Sequence, residues 1–488
     1  MTTFESNFYK KLAEKANQAV TSTPDSSDAI IPIQFGEKGD FNFYWEVQSG
    51  TFNSLTLDYI NSLATPGGEN SLKVHDSFSD AYVRLLDSIS YSLDSKDKEK
   101  LSQATSDTNS EANALVTQYK TTVAPITDTD KKEAKDAGLD IYTDVDYVIN
   151  YKFLYLWSGC KTQKKLPLSL DELNKARDLN SQFPMIPASA KPLVNLLAKW
   201  LNVNSEVLSL QDSVNRNNWI LTQLKNYTEK PSKDNGGIET LLKDGTKKER
   251  IGYKINLAGN EIVNEIKNTS QKINISMSAK KLSEDAMNVS VEGSGEVNIP
   301  IVDFFSISGS GKAKYDMFSA NGTSEGANIE ITYPGFVRIP ISPVEFQQDA
   351  LKGWYYPKII QEAKKNTDKD VSGFKFSPKS PYNLDKNGEF GRLTNLLISN
   401  YPTIKITYYK GDYNKFKESL SQSSEWNVKF LCFPLGRASE SIYSTKLEEN
   451  SQDGSFSVTF SPPTNNLTVP DLEKVAYVIG GAVEYPAS

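Results

Sequence analysis

The chain has 488 residues and a formal net charge of -7, and 38% of it is hydrophobic, below the share of about 45–50% usual in globular domains. Aromatic residues make up 11%, which argues against a disordered chain, and Lys and Arg are spread without a basic block, which argues against nucleic acid as a partner. The length suits two or three domains of about 100–200 residues each.

Residues 2–22 set Phe4, Phe8, Leu12, Ala16, Ala19 and Val20 at helical spacing and stop before Pro24. They predict an amphipathic helix that packs on its own domain. Residues 29–48 predict a β-hairpin: Ile30, Ile31, Ile33 and Phe35, then Gly36 to Gly39, then Phe41, Phe43, Trp45 and Val47. From about 54 to 228 the pattern reads as helical. Phe78, Tyr82, Leu85, Leu86 and Ile89 form one stripe, and Leu101, Ala104, Thr108, Ala112, Leu115, Tyr119 and Val123 form a second. Residues 143–157 are apolar on most sides, which predicts a buried central helix. Ser169-Leu-Asp-Glu172 is a capping box, in which the Ser hydroxyl and the Glu carboxylate each satisfy a free backbone N–H.

Residues 229–237 carry breakers and no period, so they read as a linker between a mainly helical domain, 1–228, and a β-rich domain, 238–488. Beyond the linker the period is two. Strands are predicted at 251–257, 271–279, 287–299, 305–317, 328–333, 335–341, 402–409, 426–433, 441–447, 455–460 and 473–485. Short helices are predicted at Pro357 to Lys365 and Tyr413 to Gln422, with a third at 388–398. The fold class is therefore α+β in two parts: a helical bundle, then a mostly antiparallel, sandwich-like β domain.

No catalytic, cofactor or metal site emerges. His75 is the one histidine, which weighs against a His-based general base or a multi-His metal centre, and it reads as a surface residue at a helix start. Gly322-Thr-Ser-Glu-Gly326 has the letters of a nucleophile elbow, but a strand-like segment follows it where a helix is needed. Gly309-Ser-Gly-Lys312 lacks the first glycine and the final Ser or Thr of a phosphate loop. Asp140, Asp144 and Asp146 fit no calcium loop and read as helix-start acids. Cys160 and Cys432 sit among apolar neighbours and read as buried thiols.

The start of the chain lacks the pattern of a secretory signal, which predicts cytoplasmic synthesis without a signal peptide; a role outside the cell would need lysis or a non-classical route. One segment suggests a function. Over 288–318 the odd positions are apolar or small except Asp303, and include Val289, Val291, Val297, Ile299, Ile301, Phe305 and Ile307, while Phe304 belongs to an apolar tip. Folded about residue 302, Val297 would face Ile307 and Ile299 would face Phe305. Each arm would reach about 11 residues, the length of a transmembrane β-strand. A single hairpin leaves its edges unpaired in lipid, so this reading requires a homo-oligomer closing into a barrel. It predicts a non-catalytic, membrane-targeting, toxin-like protein. The alternative is a structural or adhesive protein that self-assembles or binds a protein or glycan through its β domain. On that reading the hairpin is ordinary core. Trp354, Tyr355 and Tyr356 form an expected aromatic binding surface, for a glycan, a receptor or a membrane interface.

Overall fold

The computed structural model describes residues 3–20, 28–34, 40–41, 51–68, 70–163, 167–242, 244–283, 286–300, 305–308, 326–422, 427–431, 433–436, 443–462 and 476–486. The fold is of the mixed α+β class, with helices mostly in the first half and antiparallel sheets in the second. The chain forms two compact units. Unit 1 comprises Met1–Ile89, Thr222–Lys364 and Phe376–Ser488; unit 2 comprises Ser90–Leu221 and Lys365–Lys375. This division differs from the boundary expected at 229–237, which lies inside unit 1.

Unit 1 contains helices α1 (Thr3–Ala19) and α2 (Phe78–Asp87). Its main strands are, in chain order, β1 (Ile31–Pro32), β2 (Asp40–Phe41), β3 (Ser62–Gly68), β4 (Ser71–Ser77), β5 (Ile273–Lys281), β6 (Ala286–Val291), β7 (Val297–Pro300) and β8 (Phe305–Ser308). They continue with β9 (Ala327–Tyr333), β10 (Phe336–Pro340), β11 (Arg392–Ser399), β12 (Thr403–Tyr408), β13 (Asn427–Phe430), β14 (Phe433–Gly436), β15 (Ser444–Asn450), β16 (Ser455–Ser461) and β17 (Ala476–Glu484).

One sheet has the order β7-β6-β5-β9-β12-β16-β15, each pair antiparallel. Along β9 the burial alternates strictly: Ala327, Ile329, Ile331 and Tyr333 face the core. This is the period-two signature of a sheet with one covered face. The turn before β16 holds Gly454 at φ +71, where an L side chain is strained. A second sheet runs β1-β17-β11-β3-β4, with β2 also on β17 and β10 also on β11. A small sheet joins β8, β13 and β14.

Several sequence expectations change here. The segment 29–48 does not close on itself among the described residues: β1 pairs with Gly480 and Gly481, and β2 with Ala476 and Tyr477. Residues 62–77, expected to be helical, form the β3–β4 pair. The helix expected at 388–398 is strand β11, whose Leu393, Leu396, Leu397 and Ile398 are all buried. The helices expected near 357 and 413 are present, at Pro357–Asn366 and Tyr413–Gln422.

Unit 2 is helical. Helix α3 (Ser95–Thr122) starts at Asp94, whose carboxylate accepts the Asp97 amide at 2.7 Å. It buries Ala104, Ala112, Leu115, Val116 and Tyr119. Residues Tyr147–Trp157 form a π-helical segment with Val148, Phe153 and Trp157 in the core, as the all-round apolar pattern requires. The Ser169–Glu172 capping box is present, with Glu172 accepting the Ser169 amide at 2.7 Å. The unit boundary falls within α4 (Leu193–Glu229). No helix among the described residues is long and apolar enough to cross a membrane.

Candidate functional site

The 288–318 segment does not fold about residue 302. Strand β6 turns at Glu292–Glu296 and returns as β7, with Val289 opposite Val297 and Met287 opposite Ile299. Phe305 and Ile307 stand opposite Phe430 and Val428 instead of Ile299 and Val297. The cause is local. Gly293 takes φ +72, and the Ser294 amide donates to the Val291 carbonyl at 2.8 Å, so the chain reverses there. Pro300 offers no N–H to continue the ladder. Ile301 and Phe304 lie outside the described residues.

The apolar side chains of this hairpin point inward. Val289, Val291 and Ile299 are buried and share one core with Phe4, Phe8, Tyr9, Leu12 and Ala16 of α1; Val297 packs against it half-buried. Helix α1 therefore covers this end of the sheet. Lys15 on α1 pairs with Glu292 in the turn at 2.7 Å. Asn17 clamps the chain that leaves α1: its amide donates to the Ile30 carbonyl at 2.9 Å and accepts the Ile30 amide at 2.8 Å.

The aromatic segment is interior rather than surface. Trp354 and Tyr355 are 2% and 3% exposed, and Tyr356 is half-buried. The Trp354 indole donates to the Gly252 carbonyl at 2.7 Å, and the Tyr356 amide donates to the Tyr82 hydroxyl at 3.0 Å. Phe78, Tyr82, Tyr253 and Phe390 complete the cluster. The Arg392 guanidinium stands 5.4 Å from the Tyr355 ring centre. Burial pushes the Tyr355 hydroxyl up to about 12, against the opposing pull of Arg392.

That cluster supports an open cleft of about 630 Å³ in unit 1. Its first wall is the outer face of β3 and β4, with Thr65, Lys73 and His75, and the end of α2, with Arg84. The alternation that buries Leu72 and Val74 is what turns Lys73 and His75 outward. Ser77 caps α2 by accepting the Asp80 amide at 3.2 Å, and Arg84 sits in the last turn, where the helix dipole favours a cation.

The second wall is the loop at 381–389, with Tyr382, Asn387 and Glu389. It is held from several sides. Phe390 is fully buried 5.0 Å from Phe78, and the Ala64 amide donates to the Gly391 carbonyl at 3.0 Å. A Cβ at Gly391 would stand 2.2 Å from the Ala64 carbonyl oxygen, so only glycine permits this approach. Asp385 pairs with Lys364. The Glu389 amide donates to the Asn383 carbonyl at 3.0 Å.

Charges in the cleft are unevenly satisfied. Among the described residues neither Lys73 nor Arg84 has an ion-pair partner. Thr65 and the His75 Nε2 share a hydrogen bond of 3.0 Å, the ring donating or accepting according to its tautomer. Asp76 lies 3.6 Å from the His75 Nδ1 and is 76% exposed. That separation exceeds a hydrogen bond, so Asp76 does not orient the ring as the third member of a catalytic triad must.

The remaining motifs resolve as follows. His75 is on strand β4, not at a helix start. Gly326 is followed directly by β9, so no helix follows the Gly-x-Ser-x-Gly letters; residues 322–325 and 309–312 lie outside the described residues. Asp144 pairs with Lys120 and Lys131, and Asp146 accepts the Thr143 amide at 2.7 Å. No cluster of His, Cys, Asp and Glu suited to a metal occurs among the described residues. Cys160 is a buried free thiol, and Cys432 lies outside the described residues. Comparison with models of protein families, with curated proteins and with solved structures finds no match.

Proposed function

We propose that this chain is a non-catalytic binding protein that takes an anionic ligand in the cleft between the β3–β4 face and the 381–389 loop. One observation carries the reading: two cations, Lys73 and Arg84, line a concave surface without an ion-pair partner among the described residues. A cleft of about 630 Å³ lies within the range of about 300–1,000 Å³ typical of small-ligand sites. Titration calorimetry with citrate and inorganic phosphate tests it. The expected result is saturable binding that weakens about tenfold on Lys73→Ala or Arg84→Ala and falls with added salt. Absence of saturable binding by every anionic probe at low salt, the acidic sugars below as well as citrate and phosphate, removes the reading. On the same view His75→Ala leaves any background hydrolysis of p-nitrophenyl acetate unchanged.

A second reading, membrane insertion after oligomerisation, is favoured by one feature: the N-terminal helix α1 packs on the apolar side of β6 and β7. Val297→Glu places a charge on that side at a half-buried position. The reading expects loss of dye release from liposomes with the soluble fold retained. A folded variant with full release would discard it.

A further inference from the structure

We infer, resting on the anion-cleft reading, that the ligand is an acidic saccharide: a sugar ring bearing one carboxylate. Three features of the cleft select this class. First, Arg84 offers a planar fork that matches a carboxylate in two hydrogen bonds, and Lys73 adds a point charge. Second, the cleft is lined by an aromatic ring, Tyr382. Tyr382 is half-buried, with its ring centre 5.4 Å from that of buried Phe390. Pro66 and Pro381 lie in the same cleft. An apolar patch of this kind suits the C–H face of a pyranose. Third, Thr65, His75, Asn387 and Glu389 supply both donors and acceptors, which suits hydroxyl groups that do both.

The acidic residues of the cleft narrow the charge of the ligand. Asp76 and Glu389 line it together with the two cations. A polyanion such as a nucleic acid or a polyphosphate would meet both carboxylates, at a cost from like-charge repulsion. A ligand with one negative group and several hydroxyls reaches Lys73 and Arg84 and gives the carboxylates hydroxyl donors instead. The loop that carries Tyr382 and Asn387 is anchored at Gly391, Phe390 and Asp385, so little ordering is left for the ligand to impose.

The test is titration calorimetry at low salt with five probes: 3′-sialyllactose, methyl β-D-glucuronide, lactose, citrate and inorganic phosphate. The inference expects saturable binding of at least one acidic sugar, and lactose at least about tenfold weaker. Arg84→Ala and Lys73→Ala each weaken the acidic sugar about tenfold and leave lactose unchanged. Tyr382→Ala weakens both sugars while leaving citrate and phosphate unchanged. Circular dichroism melts check that these variants stay folded. Binding of citrate or phosphate with no binding of either acidic sugar overturns the saccharide class and leaves the anion cleft standing. Equal binding of lactose and the acidic sugars, unaffected by Arg84→Ala and Lys73→Ala, also overturns the class. Failure of all five probes overturns both readings.

Discussion

Tyr355 shows how a residue can look like a binding surface in sequence and serve the interior in the fold. Its hydroxyl is held neutral by burial at about 12, above its ordinary value of 10.0. The folded chain therefore keeps the proton while the unfolded chain loses it. The stabilising share of this neutral hydroxyl is complete below pH 10 and is lost as pH rises through about 12. Burial raises the neighbouring Tyr82 and Tyr253 in the same direction. Urea midpoints measured from pH 9 to pH 11 should fall, and Tyr355→Phe should make that fall less steep. An equal slope in the variant would show that Tyr355 does not contribute to it. The sequence displayed Trp354, Tyr355 and Tyr356 but not their depth, because a run of aromatics has the same letters inside and outside. What separates the two cases is the partner of the indole N–H, the Gly252 carbonyl, about a hundred residues earlier in the chain.

At the scale of elements, legibility follows the locality of the signal. Helix α3 was readable from its stripe, and the Ser169 capping box from its two cap residues, because each signal lies within a short stretch of chain. Strand β11 was misread as helix because it is buried on both faces, so its apolar run carries no period. Strand β4 had its alternation in plain view, with Leu72 and Val74 inside and Lys73 and His75 outside, but it is short and flanked by helical stripes. In the hairpin at 286–300 the alternation showed which side faces inward but not where the chain turns: the reversal lies at Gly293 and not at residue 302. Helix α1 offers a direct check on what holds that hairpin's cover in place. Asn17→Ala removes both bonds to the buried Ile30, at a cost of about 1–3 kcal/mol in urea unfolding. Lys15→Ala, which breaks a partly exposed pair with Glu292, should cost no more than about 1 kcal/mol. The reverse ranking would mean that charge rather than the Asn17 clamp fixes α1.

For the whole molecule, the cleft was invisible in sequence because its walls come from residues 63–84 and 381–389, about three hundred positions apart in the chain. The division into two compact units departs from the boundary expected at 229–237 for the same reason. Phe4, Phe8 and Leu12 share a core with Ile273, Ile329 and Ile404, so the first 89 residues belong with the β-rich part. A fragment of residues 1–228 should therefore lack a cooperative transition for its first 89 residues, read by hydrogen exchange. Residues 112–201 within it have their own core and should stay protected. Full protection of residues 3–19 in that fragment would show that α1 has other partners.

The pairing of β1 and β2 with β17 also sets a clock for biosynthesis. Ile31 and Gly481 lie 450 positions apart. At about 5–20 residues per second, tens of seconds separate their emergence from the ribosome. The core of residues 112–201 can close early in that interval. The apolar face of α1 and the unpaired strands β1 and β2 wait for partners made much later, and during that wait they are natural clients for a chaperone.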